Sequence, residues 1–394
     1  MKKLSFIFLF ISCGNEDIDK ENDSNDFTVS KTEIENLLGK YQNSSLKKTN
    51  ARIKQVESVL ALNHEVTKEP LIYVVNIQEG GFLLMAADKR VEPILAYSFD
   101  NNFVLDEEID QGLAAWFETK INYIDYVKAN IREPLPEVTR QWNAVSRIPE
   151  HFDNPHNNCD FINDHNYNYG SLLQTRWNQG TGFNNLMPVA PTQGVFACQS
   201  GNLPSNGRYY AGCVPVAIAQ IARYHQMPAA YNWAAMDDIT GGSETSFFIK
   251  YIHDNIPITY ACDGTSVSTG VNKGDFFQNK LGYSSAISAN WTSSIVLSNI
   301  ENNRPVFVEA GSTKKTLFGI KVRGTGHAWV CDGARSYMFC EQDSYGNYYG
   351  IGSSSFYMNW GWGGSNNGYY STGYFNTTNG SFNYEPKIVY NIIP

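Results

Sequence analysis

Gly212-Cys-Val-Pro-Val-Ala-Ile-Ala-Gln-Ile-Ala-Arg-Tyr-His225 is the most informative run of the chain. Val214, Ala217, Ile218, Ile221 and Ala222 recur at helical spacing and form one apolar face. Pro215 suits an early helical position. Cys213 therefore falls in the first turn, where unpaired backbone N–H groups and the positive end of the helix dipole stabilise a thiolate. Gly212 removes a side chain that would block the approach of a substrate. A buried, inert thiol is the competing reading of this local pattern. Beyond the helix, Arg304-Pro-Val-Phe-Val-Glu309, His327-Ala-Trp-Val-Cys-Asp332, Ser355-Phe-Tyr-Met-Asn359 and Ile388-Val-Tyr-Asn-Ile392 read as strands. One central helix followed by several strands makes an α+β domain over residues 171–394.

A nucleophilic thiol needs a base, and the chain has only seven histidines. His64 lies in an N-terminal unit, and His151, His156 and His165 lie in a linker. His225 shares the Cys213 helix twelve residues on, about 18 Å away by helix rise. His253 ends a helical stretch among polar residues and reads as a solvated surface imidazole. His327 opens a strand after Gly324-Thr-Gly326, where a bare backbone admits a ligand beside the ring. That makes His327 the expected partner of Cys213. Cys331, four strand residues from His327 and so about 13 Å away, does not fit as the nucleophile.

A base also needs an orienting group, and a tetrahedral intermediate needs donors. The Asn359 amide is placed to hold the imidazole, with Trp360 shielding that contact from water. Gln179, in Arg176-Trp-Asn-Gln-Gly180, is the natural side-chain donor of an oxyanion hole, paired with the Cys213 backbone N–H.

Upstream, residues 28–140 read as a small α+β unit. Ser30 followed by Glu33 has capping-box order at the head of a helix. Leu71–Ile77 and Phe82–Ala87 read as strands, and Leu113–Val127 carries helical apolar spacing. Residues 133–170 are rich in Pro, Asn, Asp and His without period, and 141–170 read as a linker and activation region. At the N-terminus, Lys2, Lys3 and the apolar Leu4–Ile11 form an export signal over residues 1–12. Ser12-Cys13 marks Cys13 as a lipid-attachment site, with 13–27 a polar tether. The expectation is a bacterial protein exported to the outer surface or the medium, touching the membrane only through its lipid.

Acidic residues outnumber basic ones, for a net charge of −9, which argues against a nucleic-acid partner. No run of about 18 apolar residues occurs to form a spanning helix. No C-x-x-C pair supports a structural zinc site, and no metal or organic cofactor is expected. Seven cysteines include Cys13 and the reactive thiol; the pairing of the other five cannot be read from spacing.

The order Gln, Cys, His, Asn resembles the streptopain family of cysteine peptidases, a branch of the papain-like superfamily. The matching words are Trp177-Asn-Gln-Gly180 with Phe183-Asn184, Gly212-Cys213 with Ala219-Gln-Ile-Ala-Arg-Tyr-His225, Gly326-His-Ala-Trp-Val-Cys-Asp-Gly-Ala334 and Met358-Asn-Trp-Gly-Trp-Gly-Gly364. Gly81-Phe-Leu-Leu-Met-Ala-Ala-Asp-Lys-Arg-Val-Glu-Pro-Ile-Leu-Ala-Tyr97 resembles that family's inhibitory propeptide. The resemblance implies a papain-like peptidase domain, a central helix on an antiparallel sheet, preceded by an inhibitory prodomain. It implies Cys213 as nucleophile, His327 as base, Gln179 in the oxyanion hole, Asn359 and Trp360 flanking the histidine, and Ser266 and Gly326 lining the substrate cleft. Pro215 and Val216 depart from the small residues common there, and an insert over Ser336–Ser354 lengthens a hairpin. The expected function is a cysteine endopeptidase made as a zymogen, acting on proteins or peptides. Two other readings compete: a thiol amidase or transpeptidase acting on cell-wall peptides, and a catalytically silent binding or inhibitory lipoprotein of the same fold.

Overall fold

The computed structural model describes residues 27–44, 55–145, 167–195, 197–268, 270–324, 326–342, 348–372, 376–377, 380–381 and 386–394. The export signal, Cys13, the tether up to residue 26 and residues 146–166 of the expected linker lie outside them.

The N-terminal unit begins with helix Lys31–Ser44, and the Glu33 amide donates to Ser30 Oγ at 3.1 Å, as the capping pattern requires. Four antiparallel strands follow, Val56–Asn63, Pro70–Ile77, Phe82–Ala86 and Ile94–Ser98. Helix Gln111–Asn130 then covers one face, capped by the Asp110 side chain. A further helix, Pro136–Ala144, forms where composition gave no period. Proline sits at its start, and Trp142 anchors it by donating to Val91 O at 2.8 Å, so one tertiary contact orders a stretch without a periodic signal.

The C-terminal half has the expected central helix, Cys213–His225, beside helix Ser243–Asn255. Its strands join those of the N-terminal unit in one eleven-stranded sheet. Tyr97 and Ala96 pair with Tyr369 and Tyr370, so strand Gly368–Ser371 continues one unit's sheet into the other's. It runs on through Tyr348–Asn359, His327–Gln342, Val306–Ala310, Lys387–Ile393 and Ser285–Asn290, each pair antiparallel. The fold is α+β.

Strand His327–Gln342 shows how two faces are shared. Side chains alternate along a strand, so Ala328 and Val330 enter the core made with Ile218, Ile221, Phe248 and Ile252 of the two helices. Trp329 and Cys331 point the other way, into a core with Trp116, Phe117 and Ile124 of helix Gln111–Asn130. His327 belongs to that second series, on the face that the N-terminal unit covers. Trp116 is fully buried there and donates its indole N–H to Ser371 O at 3.0 Å. We predict that Trp116→Ala lowers unfolding stability by about 3–5 kcal/mol, read by denaturant titration. A loss below about 1 kcal/mol would show that this inter-unit core is not what joins the two halves.

Candidate active site

Gly212 sits at φ +85°, a backbone that side chains rarely adopt, and a Cβ there would come within 3.2 Å of Thr265. The glycine therefore lets the chain turn sharply into the helix and press against hairpin Ile258–Ala261/Gly264–Val267. Thr265 is tied in by its hydroxyl, which donates to Tyr210 O at 2.6 Å. A disulfide between Cys198 and Cys262, with Cα atoms 5.3 Å apart, fastens the hairpin turn to the loop beside it. The Cys213 thiol at the helix head is reduced and half-buried. Cys331 is also reduced, fully buried, and pushed well up by burial, which suits packing rather than chemistry. Cys13 and Cys159 lie outside the described residues, and nothing is described of the Cys340 side chain.

His327 and Cys213 come together, with a side-chain hydrogen bond between the imidazole and the sulfur that favours the protonated ring. The His327 side chain is 1% exposed. Its Nε2 lies 2.8 Å from Trp360 O, and its Nδ1 lies 3.1 Å from Asp110 Oδ1. Burial alone would push the imidazole down. The Asp110 carboxylate, the Cys213 sulfur and the Trp360 carbonyl outweigh it and raise His327 to about 9. Trp362 packs on the ring with centroids 5.1 Å apart, and Trp329 stacks on it at 5.9 Å.

The structure places Asn359 differently from the expectation that its amide holds the ring. Asn359 Nδ2 donates to Thr175 O at 2.8 Å, and its Oδ1 accepts from Gly361 N at 3.4 Å. The imidazole instead meets the Trp360 backbone carbonyl. Asn359 thereby braces the turn that carries that carbonyl. Trp360 is further fixed through its indole N–H to Asn366 O and its amide to Asn367 Oδ1, both at 3.0 Å. Gln179 accepts from the Ala211 amide through its backbone carbonyl at 2.8 Å, which brings this residue beside the Cys213 turn. Ser266 and Gly326 line, with Cys213 and His327, a cavity of about 560 Å³. The Lys273–Glu309 ion pair, 2.8 Å long, lies in the wall of the same cavity.

Two contributors have no sequence signal near the motifs. His253 is buried rather than solvated: its Nε2 lies 2.7 Å from Ala211 O and its Nδ1 lies 3.0 Å from the Tyr260 hydroxyl. Burial pushes it down to about 4, so it is neutral and braces the chain just before Gly212. Its polar neighbours in sequence face outward while the ring turns inward, which composition could not reveal. The second is Asp110, the cap of helix Gln111–Asn130, brought more than two hundred residues along the chain to His327. Gly112, two residues on, makes the approach physically open: a Cβ there would stand 2.9 Å from the His327 ring and 3.0 Å from that of Trp329. Gln111 bridges the same loops, donating to Gly324 O and accepting from Ser312 N, both at 2.7 Å. Strand Glu108–Asp110 lies parallel to Ile320–Arg323, with Glu108 2.7 Å from the Lys321 ammonium.

A helix-headed thiol against a strand-borne imidazole, masked by a separate unit that enters the cleft, defines the architecture of a papain-like zymogen. The Peptidase C10 family model matches residues 177–260 and 229–370, and the Spi protease inhibitor family model matches residues 27–124. It is 24% identical over 350 residues to streptopain of Streptococcus pyogenes, covering 76% of this chain and 73% of that protein. It is 25% identical over 344 residues to the thiol protease/hemagglutinin PrtT of Porphyromonas gingivalis, across 76% of this chain. It spans about a third (34%) of PrtT's length. The solved structure of Prevotella intermedia prointerpain A shares the fold at a TM-score of 0.53 and 19% identity, covering 86% of this chain and 99% of that one.

Two predictions follow from the geometry around His327. Gly112→Ala forces the rings or the helix to shift, so the N-terminal unit should separate more readily once residues 146–166 are cut, as read by gel filtration. Unchanged retention would mean that this close approach carries no binding. The second concerns pH. His327 is raised above its ordinary value of 6.5, so its contribution to the folded zymogen is complete below pH 6.5 and lost as pH rises through about 9. Asp110→Asn should move that loss to lower pH in melts recorded from pH 6 to 10. Superposable profiles would exclude Asp110 as the group that holds the proton on His327.

Proposed function

We propose that the chain is the zymogen of a cysteine endopeptidase. The observation that carries this reading is the meeting of the Cys213 thiol, at a helix N-terminus, with an imidazole whose far nitrogen is fixed by a buried carbonyl. In the active enzyme the Cys213 thiolate attacks a peptide carbonyl, and His327 delivers its proton to the leaving amine. Water, deprotonated by the same imidazole, then releases the acyl-enzyme. The Gln179 side chain and the Cys213 backbone N–H receive the developing oxyanion. Trp360 orients the imidazole through its carbonyl, Asn359 holds that carbonyl in place, and Ser266 and Gly326 line the cleft for the substrate backbone.

Residues 28–140 are the intramolecular inhibitor. In the described arrangement Asp110 takes the same Nδ1 edge of His327 that the thiolate would use, because Nε2 is already bound to Trp360 O. Loss of the N-terminal unit, after cleavage within 141–170, frees that edge. Export, directed by residues 1–12, and lipid attachment at Cys13 complete the proposal. The Cys198–Cys262 disulfide supports an oxidising compartment outside the cytosol.

The test compares full-length wild type with Cys213→Ala on denatured casein, following substrate digestion and loss of the N-terminal unit by mass. Wild type should digest casein only as it sheds mass, Cys213→Ala should do neither, and an epoxide thiol inhibitor should label Cys213. Gln179→Ala should lower kcat about 100- to 1000-fold. Casein hydrolysis at full rate by protein of unchanged mass would refute latency. Digestion of peptidoglycan peptides but not casein would replace the endopeptidase with an amidase.

A further inference from the structure

Glu118 of the N-terminal unit reaches the rim of the cleft and is gripped there by the catalytic half. The Ser312 hydroxyl donates to Glu118 Oε2 at 2.7 Å and the Thr313 amide donates to the same oxygen at 2.8 Å. The Thr313 hydroxyl donates to Oε1, so both carboxylate oxygens are engaged. Ser312 Oγ also accepts from Lys314 N at 3.0 Å, which turns the hydroxyl proton toward the carboxylate. The Lys314 ammonium adds positive charge nearby. Glu118 and Thr313 line the cavity that holds Cys213 and His327. All three donors belong to the catalytic half, and they lose their acceptor when the N-terminal unit departs.

We propose that the Ser312–Thr313 turn is a carboxylate subsite of the peptide cleft, which Glu118 fills in the zymogen and an acidic group of the substrate fills in the active enzyme. The inference rests on the proposed peptidase reading, since it assumes that the cavity beside Cys213 receives peptide. The donor set fits a carboxylate closely: a backbone amide and two hydroxyls reach its two oxygens, and hydrogen bonds to an ionised acceptor are the stronger kind. A glutamine would offer one acceptor oxygen and present an amide N–H₂ to a donor. The exposed side chains of Lys314 and Lys315 give the rim the matching charge.

The experiment uses the full-length protein after it has shed its N-terminal unit. It digests a denatured protein mixture, and the cut sites are read by mass spectrometry. Asp and Glu should be enriched at least about fivefold at one fixed position from the scissile bond. Synthetic peptide pairs with Glu or Gln at that position should differ similarly in kcat/KM. The Ser312→Ala/Thr313→Val variant should lose the enrichment. An acidic side chain gives cuts throughout a substrate, whereas a free C-terminal carboxylate gives cuts clustered a fixed distance from chain ends. Peptide cleavage with no acidic preference at any position, or a preference that survives in the variant, overturns the subsite and leaves the peptidase reading standing. Failure to cut any peptide overturns both.

Discussion

The imidazole of His327 is held from two sides, by a backbone carbonyl and by a carboxylate, inside a box of indole rings, and the surrounding fold serves that clamp. A ring buried to this degree loses much of the hydration that would favour its charged form. It stays protonated only because Asp110, the Cys213 sulfur and the Trp360 carbonyl all draw the proton toward it. The carbonyl is a permanent feature of the catalytic half. The carboxylate arrives with the N-terminal unit. One nitrogen of the ring is thus held by the C-terminal half, and on the proposed reading the other is where inhibition and chemistry compete.

That competition explains why the two halves share a sheet. An inhibitor attached only by surface contacts would place Asp110 loosely. Here the pairing of Tyr97 and Ala96 with Tyr369 and Tyr370 aligns the two units' strands, and Trp116 closes the layer beneath. Helix Gln111–Asn130 is thereby directed with its capped end onto His327 and with Glu118, about two turns on, onto Ser312 and Thr313. The contacts that bury apolar area and those that block the site are the same assembly. On the proposed reading, release of the unit costs the enzyme part of its second core and uncovers strand Gly368–Ser371 as an edge.

The Asn359–Trp360 pair shows a division of labour between side chain and backbone. Asn359 spends its amide on Thr175 O and Gly361 N, which locks the turn. Trp360 contributes its carbonyl to the imidazole and its indole to packing between Trp329, Trp362 and Tyr370. A carbonyl in a rigid, buried turn cannot rotate away as a side-chain amide can. The constraint on the ring is correspondingly tight, and the neighbouring glycines at positive φ, Gly361 and Gly363, permit the turn that supplies it.

Much of this was legible in the sequence because it is local. The amphipathic run after Gly212 identifies the central helix, alternation identifies the strands around His327, and elimination among seven histidines points to the ring that lies beside Cys213. The Trp-rich words carry the family resemblance by themselves. Other features depend on contacts between distant segments. Whether Asn359 reaches the ring by side chain or through the next carbonyl is decided by the Thr175 carbonyl packed against it. Whether His253 is wet or buried is decided by which way one helix faces Ala211. Asp110, a helix cap, and Glu118, inside the same helix, carry no motif of their own; the pairing of the two units brings them to His327 and to Ser312. Residue types and short-range periodicity determined which chemistry the chain carries; only the three-dimensional packing decided which groups hold and mask it, because hydrogen bonds act over about 3 Å, a distance that separation along the chain does not predict.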